Sequence, residues 1–112
     1  MDARAKLFFD EGCGDSRLVA LQWSDDGVDL ILTLRQPHVN NDLKVRLVWV
    51  TAVSIQMNFG DYAGAPLVFG ARLEPLAGDR WAFDIQFGGA PDGHLACECN
   101  DVRLEGDVLG RE

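Results

Sequence analysis

The residues of this chain best suited to chemistry are its two histidines and three cysteines, and three of the five fall close together in the spacing His94-x-x-Cys97-x-Cys99. Cys13 is the remaining candidate for a fourth ligand. Zinc takes four such ligands converging tetrahedrally, usually from tight knuckles that aim two cysteines at one point. On a β-strand, however, side chains alternate between faces, so His94 points away from Cys97 and Cys99, which share a face with Leu95. That spacing describes two small buried thiols better than a metal site, and no metal or other cofactor is expected. Nucleophilic catalysis needs a base within reach of a Ser or Cys, and the only histidines are His38 in a loop and His94 at a strand start. Gly12-Cys13-Gly14 lacks the following helix and nearby Lys of a phosphate-binding loop, and there is no Gly-x-Ser-x-Gly elbow. The adjacent carboxylates Asp10 with Glu11, and Asp25 with Asp26, lie beside turns, where solvated acids are commoner than acid and base pairs. The expectation is a protein that is not an enzyme.

Charge points toward recognition. Ten Lys and Arg against eighteen Asp and Glu give a formal net charge of −8. Such a field repels nucleic-acid phosphates and anionic lipid while speeding encounter with a basic protein. The expected partner is therefore a basic protein, with no nucleic acid and no membrane. Candidate partner-binding residues are the loop acids Asp10, Glu11, Asp15, Asp25, Asp26 and Asp61, with Phe59 and Tyr62, aromatics of a Gly-rich loop beside a carboxylate. No run approaches the roughly 18 apolar residues that span a bilayer. Leu7-Phe8-Phe9 is too short a block for a signal-peptide core, and an odd number of cysteines fits reduced thiols, so a cytoplasmic setting is expected.

The elements that must position these residues are read from period-two alternation: Val28, Leu30, Leu32, Leu34; Leu43, Val45, Leu47, Trp49; Val53, Ile55, Met57, Phe59; and Trp81, Phe83, Ile85, Phe87. This is the rhythm of strands with one face on a core. Strands are expected over 17–23, 28–35, 43–59, 67–73, 80–87, 94–99 and 102–105. Ser24-Asp25-Asp26-Gly27 supplies the turn of the first hairpin. The run 43–59 exceeds ordinary strand length, so a bend or bulge is expected near Thr51 and Ala52. The strand 67–73 reads less cleanly, because Val68 and Phe69 are both apolar and Gly70 weakens it. Residues 1–9 are either a short helical turn or an extended lead-in. Trp23, Trp49, Trp81, Phe83 and Phe87 fall on inward positions, where truncation to Ala would cost about 3–5 kcal/mol.

Antiparallel neighbours with short connections pack as one all-β domain over residues 1–112: a sandwich, rolled sheet or partial barrel of about seven strands. The alternative is α+β, with 1–10 or 58–70 supplying one short helix. The segments Asp15-Ser16-Arg17-Leu18, Asp26-Gly27-Val28-Asp29-Leu30, Val45-Arg46-Leu47-Val48-Trp49 and Cys97-Glu98-Cys99-Asn100-Asp101-Val102 resemble those of small uncharacterised bacterial β-rich proteins. Some of those are similar to immunity proteins that neutralise secreted toxins. The resemblance implies an interaction protein, an inhibitor of a basic toxin, and carries over no site residues. The alternative function is small-ligand binding in an apolar pocket of the rolled sheet, lined by Trp23, Trp49 and Phe59. A homodimer is a further expectation, because an open sheet leaves edges to cover.

Overall fold

The computed structural model describes residues 2–36, 41–58, 64–88 and 92–105. Among these residues, alternating apolar side chains form eight strands: β1 (Arg17–Trp23), β2 (Leu30–Gln36), β3 (Asn41–Val48), β4 (Thr51–Asn58), β5 (Leu67–Leu76), β6 (Arg80–Gly88), β7 (Asp92–Cys99) and β8 (Asp101–Glu105). They build one antiparallel sheet in the order β4-β7-β6-β5-β1-β2-β3-β8, not closed into a barrel. Inward residues of β2, β3 and β8 (Leu32, Val45, Val102) share one buried cluster with those of β5, β6 and β7 (Val68, Ile85, Leu95), so the two halves of the sheet fold over a common core. This is the rolled-sheet form of the expected all-β fold.

Two chain segments make the roll. Residues 41–58 pair with 92–105 along nearly their whole length, and the register passes unchanged through a corner: Val48 faces Asp101, and Thr51 faces Glu98. Before the corner β3 joins β2 and β8 is the edge; after it β7 joins β6 and β4 is the edge. The long apolar run therefore breaks as expected. Trp49 and Ala52 both take φ of 54°, and the β4 ladder is irregular between Thr51 and Ser54.

The first residues are helical. α1 (Ala3–Leu7) leads into a π-helical turn, Phe8–Gly12. Asp2 caps α1, its Oδ1 accepting from the Arg4 N–H at 2.9 Å. Five residues are too few for a helix stable by propensity. What holds this one is burial of Ala5, Phe8, Phe9 and Cys13, with the Phe9 ring edge-on to Phe83 at 4.9 Å between centroids.

Two of the three expected core tryptophans are not covered. Trp23 pairs with Leu30, and Leu21 with Leu32, so both point to the core side. Yet β1 meets β5 only at Arg17 and Leu67, after which no ladder joins them. Among the described residues, the far half of β1 consequently has no strand along its free edge, and Trp23 stays 50% exposed. Trp49 is 59% exposed because its left-handed backbone takes it out of alternation at the corner. Trp81 is half-buried against the core, while Phe83 and Phe87 are buried as expected. Urea denaturation should show Phe83→Ala losing about 3–5 kcal/mol and Trp49→Ala about 1 kcal/mol or less.

Candidate partner-binding surface

The exposed tryptophans lie at one end of the roll, and the turn joining β1 to β2 brings two acids beside them. That turn is held by its own polar groups. The Ser24 N–H donates to the Asp29 carbonyl at 2.9 Å, the Gly27 N–H to the Ser24 carbonyl at 2.8 Å, and the Asp29 N–H to Ser24 Oγ at 3.0 Å. Gly27 takes φ of 74°, a conformation costly for residues with a Cβ. The Ser24 hydroxyl and the Val28 N–H both donate to Asp26 Oδ1, holding its carboxyl below the usual carboxylate range. Asp26 is thus part of the turn's own bonding, and Asp25 is exposed at its tip.

The corner is stitched to this turn. The Val50 N–H donates to the Val28 carbonyl at 2.9 Å, and the Trp49 N–H to Asp29 Oδ1 at 2.9 Å. Asp29 Oδ2 accepts from Arg46 Nη1 at 2.9 Å. On the other side Arg80 Nη1 donates to Asn100 Oδ1 and Nη2 to Thr51 Oγ1, each at 2.6 Å. Trp23, Asp25, Asp26, Val28 and Trp49 therefore occupy one end, with large apolar side chains open to water beside two carboxylates. Sequence alone misses the tryptophans as surface residues, because period-two alternation reports which way a side chain points, not whether a strand lies opposite.

The other candidate acids are elsewhere. Asp10 pairs with Lys6 at 2.6 Å, Glu11 is exposed in the π-helical turn, and the Asp15 N–H donates to the Val68 carbonyl at 3.0 Å. These lie near the Arg17 end of β1, a seven-residue strand that separates them from the Trp23 end by roughly 20 Å at about 3.3 Å per residue. The acids form two groups rather than one patch. Phe59, Asp61 and Tyr62 lie outside the described residues, as does His38.

A second concave feature is not foreseen from the sequence. A bulge between Val68 and Gly70 turns Phe69 out of the core, leaving it 77% exposed over Gly88, where a Cβ would come within 3.1 Å of the Phe69 Cβ. Beside it an open groove of about 770 Å³ runs over the outer face of β4, β7 and β6, lined by Gln56, Asn58, Asp84, Gln86 and His94 among others. Gln56, His94 and Gln86 stand in one cross-strand row. The available signal is the broken alternation at Val68-Phe69-Gly70, since glycine within a strand often marks a bulge.

The thiols face the other way. Cys97 and Cys99 are buried on the core side of β7, whereas His94 lines the outer groove. The hydrogen bond with Cys99, together with burial, pushes the Cys97 thiol far above its ordinary range. Burial also pushes Cys13 up to about 11, and its Sγ donates to the Phe9 carbonyl. With their pKa raised and their side chains enclosed, Cys13 and Cys97 are poor nucleophiles. Among the described residues no three His, Cys, Asp or Glu side chains converge as a metal site would require.

Compared with protein-family models and with curated proteins, the chain matches none.

The carboxylates predict a pH response. Asp42 is held low by the Arg35 guanidinium, which donates to both its oxygens at 2.9 and 3.3 Å, and Asp26 is held low by Ser24 and Val28. A carboxyl whose folded pKa lies below its unfolded value stabilises the protein above that unfolded value, and the contribution is lost as pH falls through the folded one. The melting temperature should drop on acidification below about pH 4. Asp26→Asn and Asp42→Asn should each melt lower than the parent near neutrality and lose less on going to about pH 2.5.

Proposed function

We propose that this chain is a non-catalytic recognition protein that captures a basic protein partner, an immunity-type inhibitor of a basic toxin in a bacterial cytoplasm being the specific form. The observation that carries the reading is the end of the roll where Trp23 and Trp49, half-exposed, stand beside Asp25 and Asp26. Tryptophan supplies much of the binding energy at protein interfaces when a partner desolvates it, and rim carboxylates orient a cationic partner. A net charge of −8 accelerates the encounter. Three cysteines free of disulfides accord with a reducing compartment.

The polar groove beside Phe69 supports a second reading, a small-ligand site on the outer face of β4, β7 and β6, distinct from the apolar pocket first expected. Its amide, imidazole and carboxylate side chains suit a ligand rich in hydroxyl groups, with the exposed ring as a stacking surface.

Affinity capture from the native host at low salt separates the two. The parent protein should retain one basic protein that elutes as salt rises, Trp23→Ala with Trp49→Ala should abolish its retention, and Asp25→Lys should weaken it. Equal retention by all these variants, or no specific protein at all, would refute the reading. Loss of retention in Phe69→Ala alone would move the site to the groove.

A further inference from the structure

One carboxyl group in the outer groove is left without a hydrogen-bond partner. Asp84, in the middle of β6, stands on the outer face between Arg72 of β5 and Ala96 of β7, and its Oδ1 is buried without accepting from any described residue. Arg72 is exposed and forms no ion pair with it. A buried acceptor left open is destabilising and uncommon in folded proteins. The neighbouring cross-strand row is Gln86, His94 and Gln56, and Phe69 lies at its β5 end against Gly88. Phe69, Asp84 and Gln86 line both the main groove and a smaller hollow of about 210 Å³ on the Arg72 side. Small outward residues, Gly88 and Ala96, give the groove its depth.

We propose that this groove binds a neutral oligosaccharide, with the Asp84 carboxyl group accepting from sugar hydroxyls and the Phe69 ring stacked on a sugar face. The inference rests on the reading of the groove as a small-ligand site, and charge selects the class. Among the described residues lining the groove there is no Lys or Arg, so a phosphate or carboxylate ligand would meet Asp84 and no fixed positive charge. A cationic ligand would approach Asp84 with the Arg72 guanidinium one ladder step away, a like charge beside it. Hydroxyl groups meet neither obstacle. They donate to a carboxylate, which only accepts, and they both donate to and accept from the amides of Gln56 and Gln86 and the imidazole of His94. Rotation about the soft Cβ–Cγ bond of Asp84 presents either oxygen to the groove. The Phe69 ring, 77% exposed, offers a flat apolar surface to the C–H face of a sugar ring. Length follows from the sheet order: from Phe69 on β5 to Gln56 on β4 is three strand spacings of about 4.8 Å, about 14 Å in all, more than one sugar ring covers.

Amide NMR of the parent protein, titrated with maltotriose, cellotriose, mannotriose and triacetylchitotriose, tests this, with trigalacturonate as the anionic probe and spermidine as the cationic one. At least one neutral trisaccharide should shift the amides of Asp84, Gln86 and His94 saturably, and more than either charged probe does. Asp84→Asn should weaken binding of that sugar about tenfold or more. Phe69→Ala, which removes a ring already in water and so keeps the parent's melting temperature, should weaken it about fivefold and makes the test independent of any folding effect at Asp84. Shifts with trigalacturonate or spermidine that equal or exceed those with every neutral sugar would overturn the ligand class while keeping the groove as a small-ligand site. No shift with any probe would overturn the groove reading as well. Sugar binding of parental strength in both variants would remove the site from Asp84 and Phe69 and overturn the proposal.

Discussion

Trp49 and Ala52 hold left-handed backbone without being glycine, a conformation that costs about 1 kcal/mol or more per residue. Everything about the roll depends on that cost being met where β3 turns into β4. Asp29 accepts the Trp49 amide and pairs with Arg46, Arg80 bridges Asn100 and Thr51, and the Val50 and Asn100 amides donate to Val28 and Val48. Hydrogen bonds to charged groups contribute about 1.5–3 kcal/mol each, enough to outweigh the strain. With the corner held, one two-stranded ribbon serves both halves of the sheet. Without it, 41–58 would run on as a single strand too long for a domain of this size.

The corner also shapes the surfaces. It brings the β1 to β2 turn against the start of β4, grouping Trp23 and Trp49 with Asp25 and Asp26. It makes β4 an edge strand while β3, its continuation in sequence, is enclosed between β2 and β8. Recognition surface and open edge are thus products of one bend. The opening between β1 and β5 adds to them by leaving Leu21 and Trp23 uncovered on the core side.

Much of the scaffold is legible in side-chain alternation, because a sheet with one buried face forces it. The hairpin of β1 and β2, the buried runs Leu30, Leu32, Leu34 and Leu43, Val45, Leu47, and the break near Thr51 all follow from period two and turn residues. Long-range relations do not. Nothing local in Trp23 says that β5 will pair with β1 for only one residue, and Trp49 looks inward until the corner rotates it. The helix before β1 owes its existence to the burial of Phe8 and Phe9, a tertiary effect absent from its own five residues. The outer groove depends on a bulge that ejects Phe69, visible in sequence only as an interruption at Gly70. The acidic candidates are identifiable singly, but their division into two groups requires knowing which end of β1 each one flanks.

The most direct measurement of the account is amide hydrogen exchange in Asp29→Asn, which removes the charge from the corner while keeping the side chain's shape. Exchange at Trp49, Val50 and Asn100 should accelerate together, with a loss of about 2 kcal/mol in global stability, while the Val45 amide in the middle of β3 slows or speeds only as the whole protein does. Unchanged exchange at those three amides, with stability equal to the parent's, would contradict the claim that this carboxylate holds the bend.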